Sequence, residues 1–447
     1  MVSTPRQLES GICGKMTCIM TRVTHDAFLV FSIFALTLGC RGHSSRPHDD
    51  GGVEPDSDEP YDGPLTTVTG RVWSPNSLVP ISGAVVFFTG TEPPPVPPGA
   101  YPETCVEPQG LWVLSNPDGR FRLPVPPGTY VMVTQKGQFR RVREITVPET
   151  DEELAIDEAL TTLPMEHGTG DTIPSIAVVV GIDRGDNIED LLAKLGLGEV
   201  GSDQRLVRGT ERFDIYNVAG YQPNTVLLED LETMLSYHII FFPCTVGGVG
   251  GEDQLADPTD PLLSPAVLGN VRAYLEAGGK IYATDMMYDV FEQPLPEYVD
   301  FCGDDARINA ADEEAWAHFE TANGWTSVGR AVDGDLAAWL EAIGEGSAGI
   351  QFRQNFVWIE ELISILDPSP EDPATPKIWV EGDFILNPAE TLPLTITFPY
   401  GPGRVLFSTY HTVGDEGGNP GHPGIYTQEY VLLYLIMEIG VCEEPLY

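Results

Sequence analysis

The hydrophobic period of this chain changes near residue 174, and that change restricts the fold more than any other feature. Before it, apolar residues fall in short alternating runs. These are Thr67-Val68-Thr69-Gly70-Arg71-Val72, Gly83 to Phe88 (GAVVFF), Phe121-Arg122-Leu123 and Thr129 to Val133 (TYVMV). Turn signals at Asn116-Pro117-Asp118-Gly119 and Pro126-Pro127-Gly128 separate them, and a proline-rich loop runs from Glu92 to Ala100. Period-two runs with such punctuation predict short strands in a β-sandwich. After residue 174 the apolar runs are continuous: Ile176 to Val180, His238 to Phe242, Lys280 to Thr284 and Arg404 to Thr409. Helical spacing fills the gaps at Ile188 to Leu195, Leu227 to Tyr237, Ser264 to Ala277 and Gln428 to Ile439. Ser264 reads as an N-cap with Pro265 at N1, and Gly278-Gly279 as the stop. Strands buried on both faces and alternating with helices predict a parallel α/β sheet covered on both sides. The alternation lapses between Asp304 and Glu345, where short helices around Trp316 and Trp339 read as an insertion. The expected order is an all-β sandwich over 65–150, an acidic linker over 151–173, and an α/β domain over 174–447.

The N-terminal region carries a different signal. Phe28 to Leu38 (FLVFSIFALTL) is uncharged and too short to span a bilayer, which takes about 20 residues. It fits the apolar centre of a secretory signal. Leu36-Thr37-Leu38-Gly39-Cys40 resembles a bacterial lipobox, with Thr37 where the pattern has Leu. The resemblance implies a signal peptide over 1–39, an acylated, palmitate-bearing Cys40, and a Pro/Gly/Ser/Asp-rich tether over 40–64. A start at Met20 would give a more compact signal. Arg41 after the cysteine implies an outer-membrane lipoprotein, facing the periplasm or the surface. The formal net charge of -43, from 67 acidic against 24 basic residues, repels phosphate backbones and excludes nucleic acid as a partner. Some carboxylates could hold Ca²⁺; no other cofactor is expected, and no CxxC or Cys/His spacing for zinc occurs.

Two further resemblances are readable. Gly70-Arg71-Val72, Pro80, Gly83-Ala84-Val85-Val86, Asp118-Gly119-Arg120-Phe121-Arg122-Leu123 and Val125-Pro126-Pro127-Gly128-Thr129-Tyr130 resemble the carboxypeptidase regulatory-like domain. That family implies a transthyretin-like (prealbumin-like) sandwich serving as a structural or carbohydrate-binding-like module. Trp73 and Trp112 could stack on a sugar ring, with core packing as the alternative. Lys136, Arg140, Arg141 and Arg143 form a basic cluster, either a solvated strand face or a contact to the acidic second half or an anionic glycan. Tyr237 to Pro243, Val271 to Tyr282 and Gly403 to His411 resemble the class I glutamine amidotransferase-like superfamily. This implies a flavodoxin-like parallel sheet.

In such sheets function collects at the carboxyl ends of the strands. Those ends deliver Gly181-Ile182-Asp183, Cys244-Thr245, Asp285-Met286 and Tyr410-His411. Cys244, His411 and Asp285 could supply a thiolate, a base and an orienter. The pattern departs from the family, however. The nucleophile elbow reads Tyr282-Ala283-Thr284-Asp285-Met286, without cysteine or flanking glycine, and His411 is followed by Thr412-Val413 rather than by a Glu two residues on. Cys105, Cys244, Cys302 and Cys442 remain in the mature chain. Cys244 and Cys302 should reach one rim and form a disulfide, which would remove the only candidate nucleophile. Asp183-Arg184-Gly185-Asp186 reads as a helix-capping turn, and Thr245 to Gly251 as a Gly-rich loop lacking the Lys of a phosphate cradle. The expectation is a membrane-anchored, non-catalytic binding or structural lipoprotein, with no metal. Its partners would be the membrane and a glycan or another envelope protein. The alternative is a cysteine- or carboxylate-dependent hydrolase acting on envelope or sugar substrates.

Overall fold

The computed structural model describes residues 63–440, apart from 104–107, 109, 181–185, 217–221, 245–263, 302–323, 364–375, 385–386 and 413–424. In the first half, alternating sequence becomes alternating burial. Along β4 (Arg120–Val125) every second residue is buried, putting Phe121, Leu123 and Val125 inward. β4, β1 (Thr66–Arg71) and β7 (Leu154–Ala155) form one sheet in the order β4-β1-β7. The second sheet runs β3-β2-β5-β6-β8, from β2 (Val85–Thr89), β3 (Leu111–Leu114), β5 (Gly128–Lys136), β6 (Phe139–Val147) and β8 (Asp171–Thr172). Val68, Phe121 and Leu123 of the first sheet share a buried cluster with Val86, Phe88 and Met132 of the second.

The acidic segment expected between the domains, 151–173, adds one edge strand to each of these sheets. β7 pairs in parallel with β1, and β8 pairs with β6. Between them α1 (Glu158–Thr161) is capped by Asp157, whose side chain accepts from Ala159 N. Asp171 on β8 explains two of the four basic residues: its carboxylate binds Arg141 at 3.0 Å and Arg143 at 2.8 Å.

In the second half, β9 (Ile176–Val179), β10 (Asp214–Tyr216), β11 (Ile239–Phe242), β12 (Lys280–Thr284) and β19 (Gly403–Ser408) form the parallel part of a nine-stranded sheet, in the order β10-β9-β11-β12-β19. β9, β11 and β12 are buried at every position. Their two faces feed two separate cores. Ile176, Val178, Ile239 and Phe241 join α2 (Ile188–Leu192) and α8 (Thr427–Glu438). Ala177, Val179, Ile240 and Phe242 join α3 (Asn224–Leu228), α4 (Leu231–Leu235) and α5 (Pro265–Glu276). Ser264 caps α5 as its sequence requires, accepting from Val267 N. The first of these cores also contains the sandwich residues, so Pro64–Tyr447 is one compact unit.

The expected all-parallel sheet is corrected beyond β19. There β18 (Asn387–Tyr400), β17 (Lys377–Phe384), β14 (Trp325–Ala331) and β15 (Ala348–Asn355) add on antiparallel. β14 has one buried face, with Trp325, Ser327 and Gly329 inward and the residues between them exposed, as antiparallel strands with a solvated side do. Trp339 lies in α7 (Gly334–Ile343) and donates from Nε1 to Pro80 O of the sandwich at 2.8 Å; Trp316 falls outside the described residues.

Candidate functional site

Three loops at the carboxyl ends of β11, β12 and β19 meet on one edge of the sheet. Cys244 stands just past β11, and its backbone N–H donates to Thr284 Oγ1 at the end of β12, at 2.7 Å. Thr284 donates in turn to Asp186 Oδ2 at 2.6 Å. The other oxygen of Asp186 accepts from the backbone and the hydroxyl of Thr412, the N–H at 2.9 Å. One buried carboxylate therefore ties together the residue before Asp285 and the residue after His411.

Asp285 follows β12 directly with φ +47°, in the left-handed region, and opens a tight 3₁₀ turn over Asp285–Tyr288. Non-glycine residues rarely adopt this backbone, and such strain clusters at functional sites. His411 lies past β19. Its carbonyl accepts from Gln428 Nε2 of α8 at 2.7 Å, and its Nδ1 faces Gln354 Oε1 at 3.1 Å. Gln354, on β15, is also left-handed, with φ +63°. Phe356 completes the wall: its ring lies 5.3 Å from the His411 ring, and its N–H donates to Asp285 Oδ2 at 3.2 Å.

A sulfur of Cys244, a carboxylate oxygen of Asp285 and a ring nitrogen of His411 lie within 4.8 Å of one another. All three residues are buried, with exposures of 2%, 0% and 1%. His411 Nε2 is 3.1 Å from Asp285 Oδ2. Among the described residues, Nε2 and Asp285 Oδ1 are both buried polar atoms without a hydrogen-bond partner. Burial pushes the Asp285 carboxyl up to about 6 and the Cys244 thiol above its ordinary value. For His411 burial works downward, but Cys244 and Asp285 outweigh it and hold the imidazole well above its usual range.

The structure thus brings together all three residues of the candidate triad. Cys244 is a free thiol whose sulfur lies close to His411 and Asp285, and the expected disulfide with Cys302 involves a residue that is not described. Cys302, like the lipidation candidate Cys40, falls outside the described residues. Trp73 is half-buried under the Arg71 guanidinium, 4.3 Å from its ring centroid, and Trp112 lies on β3 of the other sheet. Among the described residues, no other group of three His, Cys, Asp or Glu side chains converges in this way. Gln354 and Asp186 were not singled out for this site from sequence. Gln354 arrives on an antiparallel strand that no parallel repeat announces, and Asp186 reads locally as a helix cap.

No family model matches this chain, and no curated protein matches it. Among solved structures, a cytoplasmic protein of Salmonella typhimurium LT2 is similar at 13% identity and a TM-score of 0.30, covering 60% of this chain and 97% of that one. A β-galactosidase of Rahnella sp. R3 is similar at 12% identity and a TM-score of 0.27, covering 54% of this chain and 29% of that one. A β-galactosidase of Bacillus circulans sp. alkalophilus gives 10% identity and a TM-score of 0.28, covering 60% and 30%. The chain spans less than a third of either β-galactosidase. Likeness at this level assigns neither family nor activity.

Proposed function

We propose that this chain is an exported, lipid-anchored envelope protein whose α/β half binds a ligand at the carboxyl edge of its parallel strands without catalysing a reaction. The sandwich half, read as a prealbumin-like carboxypeptidase regulatory-like module, supports that edge from the opposite side. The order β10-β9-β11-β12-β19 supports a flavodoxin-like reading, because in chain order the five strands run 2-1-3-4-5. Ligands of such sheets sit outside the carboxyl ends.

The observation that carries the non-catalytic reading is the place of Asp285. It holds the left-handed strand-to-helix turn where an amidotransferase-like elbow would present its nucleophile. Its carboxylate lies against His411 Nε2 at 3.1 Å. In a nucleophilic triad the base and its orienter use opposite ring nitrogens. Here Asp285 Oδ2 lies 3.1 Å from Nε2 and Gln354 Oε1 3.1 Å from Nδ1, so each ring nitrogen already faces a side chain other than the thiol.

The free thiol of Cys244 beside His411 favours the second reading, a cysteine- or carboxylate-dependent hydrolase. Alkylation of the exported protein at neutral pH separates the two. Cys244 should react slowly, at a rate that His411→Ala does not lower. Rapid alkylation slowed by His411→Ala would replace the binding reading with the hydrolase. For the anchor, Cys40→Ala should release the protein from membranes; membrane retention without palmitate labelling would sink the lipoprotein reading.

A further inference from the structure

We propose that Cys244, Asp285 and His411 are the protein ligands of a four-coordinate divalent metal site of the zinc class, with the fourth position offered to the bound ligand. The inference rests on the reading that this edge is a binding site, and it names what does the binding. The argument begins with cost. Three ionisable side chains, each almost completely buried, converge on one point. Burying such groups is expensive unless they are paired or coordinate a metal. A cation at their centre would offset that cost.

The donor set selects the ion. A thiolate, an imidazole and one carboxylate suit zinc and its neighbours, whereas calcium and magnesium take oxygen donors throughout. The geometry agrees. Zinc bonds to nitrogen and oxygen of about 2.0–2.1 Å in a tetrahedron place those two donors about 3.3 Å apart. His411 Nε2 and Asp285 Oδ2 are 3.1 Å apart. All three donors fall within 4.8 Å of one another.

The surroundings prepare each ligand. Gln354 Oε1 faces His411 Nδ1 at 3.1 Å. As an acceptor it takes the Nδ1 proton and leaves Nε2, 3.1 Å from Asp285 Oδ2, unprotonated for a metal, which is how metal-binding histidines are prepared. Phe356 N–H holds Asp285 Oδ2 at 3.2 Å, and Cys244 is fixed through its backbone to Thr284. Asp285 Oδ1, fully buried, has no hydrogen-bond partner among the described residues. That atom, together with the buried Nε2, is the independent sign that the described residues alone do not complete the centre. The ligands come from the ends of three strands, so no local Cys/His spacing could announce them.

The test loads the full exported chain with Co²⁺, a spectroscopic surrogate for Zn²⁺. The expected result is about one ion per chain, a thiolate-to-cobalt charge-transfer band, and the intense visible bands of four-coordination. Cys244→Ser should abolish the charge-transfer band. Because Cys244 is a core position, a second variant is needed: Gln354→Leu should keep the band but weaken metal affinity roughly 10- to 100-fold. Cobalt bound without a thiolate band would overturn the site, as would a folded chain retaining neither cobalt nor zinc. The two readings fail separately. A metal-free chain with an inert Cys244 overturns the site and leaves the binding reading standing. A chain that hydrolyses esters only when loaded upholds the site and overturns the non-catalytic reading.

Discussion

The two ends of the parallel strands are equally dry but differently finished. At the amino end the sandwich lays its proline-rich loop across the sheet. Lys280, the first residue of β12, pairs with Glu103 at 2.9 Å, and Gln138 also donates to Glu103. His238 accepts from Ser175 N–H at 2.9 Å through Nδ1, so its Nε2 carries the proton and donates to Pro97 O at 2.8 Å. Every buried donor named there has its acceptor. At the carboxyl end, Asp285 and His411 keep buried atoms without partners, and Asp285 and Gln354 hold strained backbone. Burial and shifted titration occur at both ends, since His238 is pushed down to about 4 by burial. What sets the carboxyl edge apart from the amino edge is therefore the unmet hydrogen bond and the strained residue.

The largest effect should come from the structural end. Gly278 has φ +94°, and a Cβ there would meet Tyr101 O at 2.1 Å. Gly278→Ala should cost about 3 kcal/mol or more from combined strain and overpacking. A denaturation midpoint close to that of the parent chain would show that the loop does not seal this end as described.

Next is a pH effect at the same end. His238 moves from an ordinary value of 6.5 to about 4 on folding. The unfolded chain therefore binds the extra proton first as pH falls. The contribution is complete above pH 6.5 and is lost progressively down to about pH 4, amounting to about 3 kcal/mol as an upper bound. Denaturant titrations across that window should show a steeper acid-side loss in the parent than in His238→Gln. Parallel curves would contradict it.

The smallest effect, opposite in sign, belongs to the other end. Asp285→Asn removes a buried charge while keeping an acceptor for Phe356 N–H and a residue type that tolerates left-handed backbone. In chelator-treated protein it should leave stability unchanged or raise it by about 1 kcal/mol. A clear loss would mean that the carboxyl edge is structural too.

How far the sequence disclosed this molecule follows from how locally each feature is encoded. β9, β11 and β12 were legible because two-sided burial forces unbroken apolar runs, and α5 because Ser264-Pro265 and Gly278-Gly279 mark its ends. The antiparallel extension was missed although β15 does alternate, with Ile350 and Phe352 inward. Turns and exposed polar residues around it resemble an irregular insertion when only helices are sought. At the site, Cys244, Asp285 and His411 were found by their places at strand ends. Their relation was not, because which ring nitrogen meets which partner depends on Gln354, and only the three-dimensional pairing brings that residue alongside.

The hairpin between β5 and β6 has a consequence for timing. Lys136 at its tip pairs with Glu438 at the end of α8, a separation of 302 residues, and a Cβ on Gly137 would lie 3.1 Å from Gly440. A chain that emerges from its N-terminus first has made this hairpin long before its counterpart exists. The nascent sandwich must wait, with the apolar surface that α7 and α8 will cover still open to water. Such remote closure predicts slow maturation and a need for protection against self-association until the last helix arrives.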